Sequence, residues 1–146
     1  MESEFTEEAL AKKIPTKLFS QKNRYDFSIL NDLKSFIHEE EFDLVHCHGG
    51  RANLIASLIK RDFTIPFITT IHSDYRLDDF QGSKLKSTIV RWVNKQAMKK
   101  MDYYLGVSNE FKEMIIERGL GTRKNTFSIF NGVNMDTKNY HNKASF

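Results

Sequence analysis

The sequence predicts an α/β fold: a Rossmann-like, doubly wound, mostly parallel sheet of about five strands with helices on both faces. Three observations carry this reading. Short runs rich in apolar, β-branched and aromatic residues alternate with segments of helical period. The helical segments are long enough for parallel crossovers and too long for hairpin loops. The strand runs are continuously apolar, as in strands covered on both faces.

The elements follow in order. Residues 6–13 (TEEALAKK) are helix formers, acidic early and basic late, as the helix dipole prefers. Residues 14–19 (IPTKLF) read as a short strand, with Pro15 marking either a sheet edge or the strand's entry. Over residues 26–40 the apolar set Phe27, Ile29, Leu30, Leu33, Phe36 and Ile37 has helical spacing, with Asp26 as N-cap. Residues 42–46 form the next strand, and residues 51–61 a helix. Residues 66–72 (PFITTIH) are a strand, and residues 73–82 a polar loop. The longest helix spans residues 83–101, with Leu85, Ile89, Trp92, Val93, Ala97 and Met101 on one stripe. Residues 103–107 are a strand, Ser108 caps the following helix, and Gly119 sits where that helix should end. Residues 127–130 are the last strand, and residues 137–146 a polar tail.

Composition narrows the function classes. A chain of 146 residues with 40% hydrophobic and 28% charged residues can bury a core, which excludes disorder as its main state. A net charge of only +3 gives no case for nucleic acid. The single cysteine, Cys47, has no intramolecular partner, which fits a reducing, cytoplasmic setting. No apolar run approaches the ~18 residues of a membrane span, and the acidic start gives no signal-peptide pattern.

In a sheet of this kind, ligands bind at the carboxyl ends of the strands. One strand ends in His46-Cys47-His48-Gly49-Gly50-Arg51. Side-chain alternation puts His46 and His48 on one face and Cys47 on the other. Gly49 and Gly50 then open a helix whose N-terminus faces an anion, with Arg51 adding positive charge. His72 ends the adjacent strand, so three histidines gather at one sheet edge, suited to a phosphate or diphosphate. The plainer alternative is that these histidines only cap loops through hydrogen bonds. A zinc site has the weaker case, because there is no HExxH and no further ligand spacing. Cys47 reads as a buried thiol rather than a nucleophile. No G-x-G-x-x-G, P-loop or G-x-S-x-G motif is present. Asp74, Asp78 and Asp79 read as a solvated loop without the chelating D-x-D pattern. The helix over residues 83–101 has six cations and no acid. Its apolar stripe is assigned to sheet packing, with peripheral contact to a membrane leaflet as the alternative use of its basic face.

Four segments together resemble family 4 (group 1) glycosyltransferases. Phe42-Asp43-Leu44-Val45-His46-Cys47-His48 is similar to the family's strand of the form (F)D-hydrophobic-V-H-x-H, with Arg51-Ala52-Asn53 after it. Residues 66–72 resemble its P-x-hydrophobic-x-T-x-H strand. Residues 104–108 with Phe111-Lys112 resemble its V-S-x-x-hydrophobic-K segment. Asn131-Gly132-Val133-Asn134 looks like its N-G-V-D turn, with Asn in place of Asp.

The resemblance implies a two-domain GT-B enzyme that transfers a sugar, with retention and without a bound metal, from a nucleotide-sugar to a glycan or lipid-linked acceptor. It implies that residues 1–136 are a partial N-terminal, acceptor-side domain. The C-terminal domain that binds the donor is then a missing partner, and this chain alone is inactive. His72 becomes the catalytic-site contact. His46, His48, Gly49, Gly50, Arg51 and Asn131 become substrate-binding positions. No cofactor is implied. The strand at residues 14–19 looks like the family's third. With the first two absent, it is expected in a non-family position, against the Phe42 strand or in a swapped homodimer. A non-catalytic module that binds a phospho-ligand or protein is the alternative function.

Overall fold

The computed structural model describes residues 4–23, 26–74, 84–130 and 132. Helices α1 (Glu4–Ala11) and α2 (Ile29–Glu39) lead into a regular alternation. It runs β1 (Val45–His48), α3 (Gly50–Ile59), β2 (Phe67–Ile71), α4 (Lys84–Met98), β3 (Tyr103–Gly106), α5 (Asn109–Glu117) and β4 (Thr126–Ser128). A single 3-10 turn, Lys60–Asp62, extends α3. The strands form one sheet in the order β1-β2-β3-β4, and every neighbouring pair is parallel. The chain is therefore a Rossmann-like α/β fold, with four strands among the described residues where the sequence suggested about five.

The difference lies at residues 14–19, which form no strand. Helix α1 ends with Lys13 in the left-handed region (φ 55°), and the Ile14 N–H returns to the Ala9 carbonyl at 2.9 Å. That closure turns the chain away, and Pro15 offers no N–H to a sheet edge. Ile14 and Leu18 stay exposed. The segment packs instead against α2: Phe19 meets Phe36 edge-on at 5.7 Å, and Lys17 lies over the same ring. It neither pairs with β1 nor requires a swapped copy.

Two boundaries also shift. The N-cap position of α2 is Ser28, not Asp26. Asp26 instead accepts the N–H groups of Lys22 and Ser28 at 2.8 and 2.9 Å. The bond from Lys22, then those from Ser28, hold its carboxyl down to about 2. Strand β1 starts at Val45, three residues later than expected, and leaves Phe42 and Leu44 exposed.

The two sheet faces differ. Cys47, Phe67, Thr69, Ile71, Tyr104 and Thr126 are buried on one. That face meets Ile37 of α2, Ala56 and Ile59 of α3, Met98 of α4, and Ile115 of α5 in one apolar cluster. The opposite face shows His46, His48, Tyr103 and Phe127, all exposed. At the lower end of the sheet, the Asp102 carboxylate accepts the Phe67 N–H at 2.7 Å and Lys60 at 2.9 Å, so one side chain ties β2 to β3.

Caps explain the helix ends. The Ser108 hydroxyl accepts the Phe111 N–H at 3.3 Å, as expected of an N-cap. Gly119 (φ 62°) closes α5: its N–H reaches the Ile116 carbonyl and that of Leu120 reaches Ile115, the two bonds of a Schellman motif. Gly106, the last residue of β3, answers a different need. A Cβ there would lie 2.7 Å from the Lys112 backbone nitrogen. Only a residue without a side chain lets β3 pass so close under α5.

Helix α4 departs most from the sequence reading. Its buried side chains are Ser87, Ala97 and Met98, on the side that packs against α3. Leu85 (71%), Ile89 (53%) and Trp92 (62%) are exposed instead of packing on the sheet. The small residues allow close helix–helix approach, so the bulky arc is left outside.

Candidate functional site

The carboxyl ends of β1 and β2 bring the three predicted histidines together. The register pairs His46 with Ile68 and His48 with Thr70, so the imidazoles project from one face beside Thr70 and His72. His46 Nε2 is 2.7 Å from the Thr70 hydroxyl. His48 Nδ1 is 3.2 Å from His72 Nε2. The His46 and His48 rings lie 4.4 Å apart, and those of His48 and His72 5.5 Å apart. All three are exposed. Cys47, between the first two, points into the core, and burial pushes its thiol up to about 11. The alternation expected from the sequence is the one observed.

Electrostatics bias His46 toward its neutral ring. Partial burial first, and then the charge that His48 and His72 would carry, lower the His46 pKa below its ordinary 6.5. The His48–His72 contact needs one ring as donor and one as acceptor, which neutral imidazoles supply. Such a pair offers both kinds of partner to a sugar hydroxyl or a phosphate oxygen.

A cleft opens beside the cluster, lined by Gly49, Gly50, Asn53, Thr70, His72 and Asn94 among others. Gly49 makes the turn from strand to helix with φ 86°, a conformation that disfavours any side chain. No side chain caps α3 at Gly49, so the positive end of the helix faces the cleft. A Cβ on Gly50 would come within 3.1 Å of the Asn94 amide, so this glycine leaves room for α4. Asn53 is buried, with its Oδ1 lacking a hydrogen-bond partner. A cleft-lining acceptor of that kind suits a ligand hydroxyl.

Two expected residues behave differently. The Arg51 guanidinium donates to Gln21 Oε1 at 2.8 Å, which ties α3 to the segment before α2. It therefore secures the framework as well as adding charge. Asp74 is not simply solvated: Arg118 binds both its carboxylate oxygens, anchoring the chain two residues beyond His72. Asn131, Asp78 and Asp79 lie outside the described residues. Asn53 and Asn94 were missed as site residues. Each sits in an ordinary helical pattern, and only the packing of α3 on α4 turns them toward one cleft. Among the described residues, no three His, Cys, Asp or Glu side chains are arranged to hold a metal ion.

No match to the chain was found among curated proteins. Residues 2–137 match the profile of Glycosyltransferase Family 4. That match covers nearly the whole chain: the chain belongs to glycosyltransferase family 4.

Proposed function

We propose that this chain is the acceptor-side domain of a retaining glycosyltransferase, working without a metal. In this reading a sugar passes from a nucleotide-sugar donor to a glycan or lipid-linked acceptor. The observation that carries it is the cleft between β1, β2 and α3. There, three imidazoles, the Thr70 hydroxyl and the unpartnered Asn53 oxygen stand together at the carboxyl ends of the strands. Such groups suit the hydroxyls of an acceptor. His72 stands nearest the reacting centre, and His46 and His48 flank it.

The transfer develops charge on the leaving diphosphate, which requires donors fixed in place. The α3 N-terminus is the described feature suited to an anion, and Arg51 is engaged with Gln21. The remaining stabilisation is assigned to a second, donor-binding domain on the other side of the cleft. The 146-residue chain alone therefore has negligible transferase activity. Family membership at the sequence level supports the reaction class.

Amide and histidine NMR shifts of the chain, titrated with monosaccharides, glycolipid headgroups and nucleotide-sugars, test the reading. Acceptor-type ligands should move His46, His48 and His72, and His72→Ala should abolish the effect while the fold persists. Absence of any response at the cleft across the panel would remove the acceptor role. Sustained turnover of a nucleotide-sugar by the chain alone would overturn the division of labour.

A further inference from the structure

Of the three histidines, only His72 lines the cleft. Its backbone is held on both sides. It follows β2 directly, and two residues further on Arg118, at the end of α5, grips both carboxylate oxygens of Asp74. The freedom left to His72 is rotation of its side chain. The ring is exposed, so the core does not stop that rotation. His48 does. Its Nδ1 lies 3.2 Å from His72 Nε2, while the two ring centroids are 5.5 Å apart. Two imidazoles with nitrogens this close can hardly have their centres farther apart, so the nitrogens point straight at each other. One carries the proton and the other accepts it. His48 is braced in turn. The His46 ring lies 4.4 Å from it, and His46 Nε2 is 2.7 Å from the hydroxyl of Thr70, the residue paired with His48 across the strands.

We propose that His48 is a positioning residue. By engaging Nε2 of His72 it sets the rotation of that ring and leaves Nδ1 as the nitrogen free for the cleft. His46 and Thr70 keep His48 in place for this task. The gain is entropic: a ring already ordered loses less freedom when a ligand binds. The family resemblance makes His48 a substrate-binding position; in this proposal it acts through His72 instead. For the ligand, the inference rests on the acceptor-side reading, but the contact between the rings is independent of it.

Relaxation of the labelled His72 ring, measured by NMR on the full chain without ligand, is the direct test. Working at about pH 8 keeps imidazoles of ordinary pKa neutral. The ring should be ordered in the parent and mobile in His48→Ala. Asparagine carries its amide as many bonds from Cα as Nδ1 lies, whereas the amide of glutamine reaches one bond further, toward the position of Nε2. His48→Asn should therefore restore the order, and His48→Gln should not. A role in filling space alone would favour the larger glutamine. Circular dichroism should be unchanged in every variant, since His48 is exposed. Titration with methyl glucoside, read at the cleft amides, should give an affinity about two- to tenfold weaker in His48→Ala and regained in His48→Asn. The proposal is overturned if His72 stays ordered in His48→Ala, if glutamine restores order as well as asparagine does, or if the His48→Ala variant binds methyl glucoside like the parent. A parent that binds no methyl glucoside, yet shows the same ranking of ring order, would count against the acceptor reading and leave the positioning role standing.

Discussion

Replacing Gly106 with alanine tests the packing of β3 beneath α5. The added methyl would stand 2.7 Å from the Lys112 nitrogen, 3.0 Å from the Phe111 carbonyl carbon and 3.1 Å from Phe111 Cβ. The first distance is 0.7 Å inside the 3.4 Å at which ordinary contact begins. Two of these atoms are helix backbone. They cannot swing aside, because Ser108 holds this turn through the Phe111 and Lys112 N–H groups. Relief requires α5 to move outward and to draw Ile115, which is fully buried, from the core. Overpacking of this kind costs about 1–3 kcal/mol, and the stiffer unfolded chain returns about 0.4–1 kcal/mol of that. A net loss of about 1–2 kcal/mol corresponds to a Tm lower by roughly 3–8 °C in a domain of this size. Thermal and urea unfolding followed by circular dichroism would measure it. Gly119→Ala is the control, since φ there is 62° but no atom lies within 4 Å of the added Cβ. It meets backbone strain alone, about 1 kcal/mol. A Gly106→Ala variant as stable as the parent, or no less stable than Gly119→Ala, would refute the steric argument.

Three further outcomes are expected. Glu41 sits just past α2 with φ 52°, so Glu41→Gly should raise stability by about 0.5–1 kcal/mol in the same urea assay. The His46 ring, followed by NMR, should titrate below 6.5, and its midpoint should rise when His48 is replaced by alanine. Because its folded pKa lies below the unfolded value, the folded state takes up fewer protons at acid pH. The His46 contribution to stability is therefore present above 6.5 and lost as pH falls through the folded pKa. Cys47, buried with its thiol raised to about 11, should resist a thiol reagent at neutral pH until urea unfolds the chain. Rapid labelling of the native protein would contradict the observed side-chain alternation in β1.

Much of the architecture was legible because it follows from periodicity. Alternation in a strand assigned His46, Cys47 and His48 to their faces, and the chain order of strands and helices predicted parallel pairing. Periodicity did less well where two answers fit. Helix α4 has apolar side chains on two arcs, one with Ala97 and Met98 and one with Leu85, Ile89 and Trp92. Hydrophobic spacing identifies such arcs but does not say which faces α3. Close helix packing chose the arc with the smaller residues. Residues 14–19 have the composition of a strand, yet the left-handed closure at Lys13 and the aromatic contact with Phe36 decide their path. The bond from Arg51 to Gln21 spans 30 positions, a separation that local patterns do not encode.

The single buried residue of β1 has a use beyond packing. Within a strand, a slip of one residue exchanges the two faces, so Cys47 cannot stay buried while His46 and His48 turn inward. The core and the histidine cluster are thus set by one register between Val45 and Phe67. The sulfur becomes a chemical gauge of site assembly. Its resistance to a reagent tells, without any substrate in hand, what fraction of the molecules has its imidazoles in place.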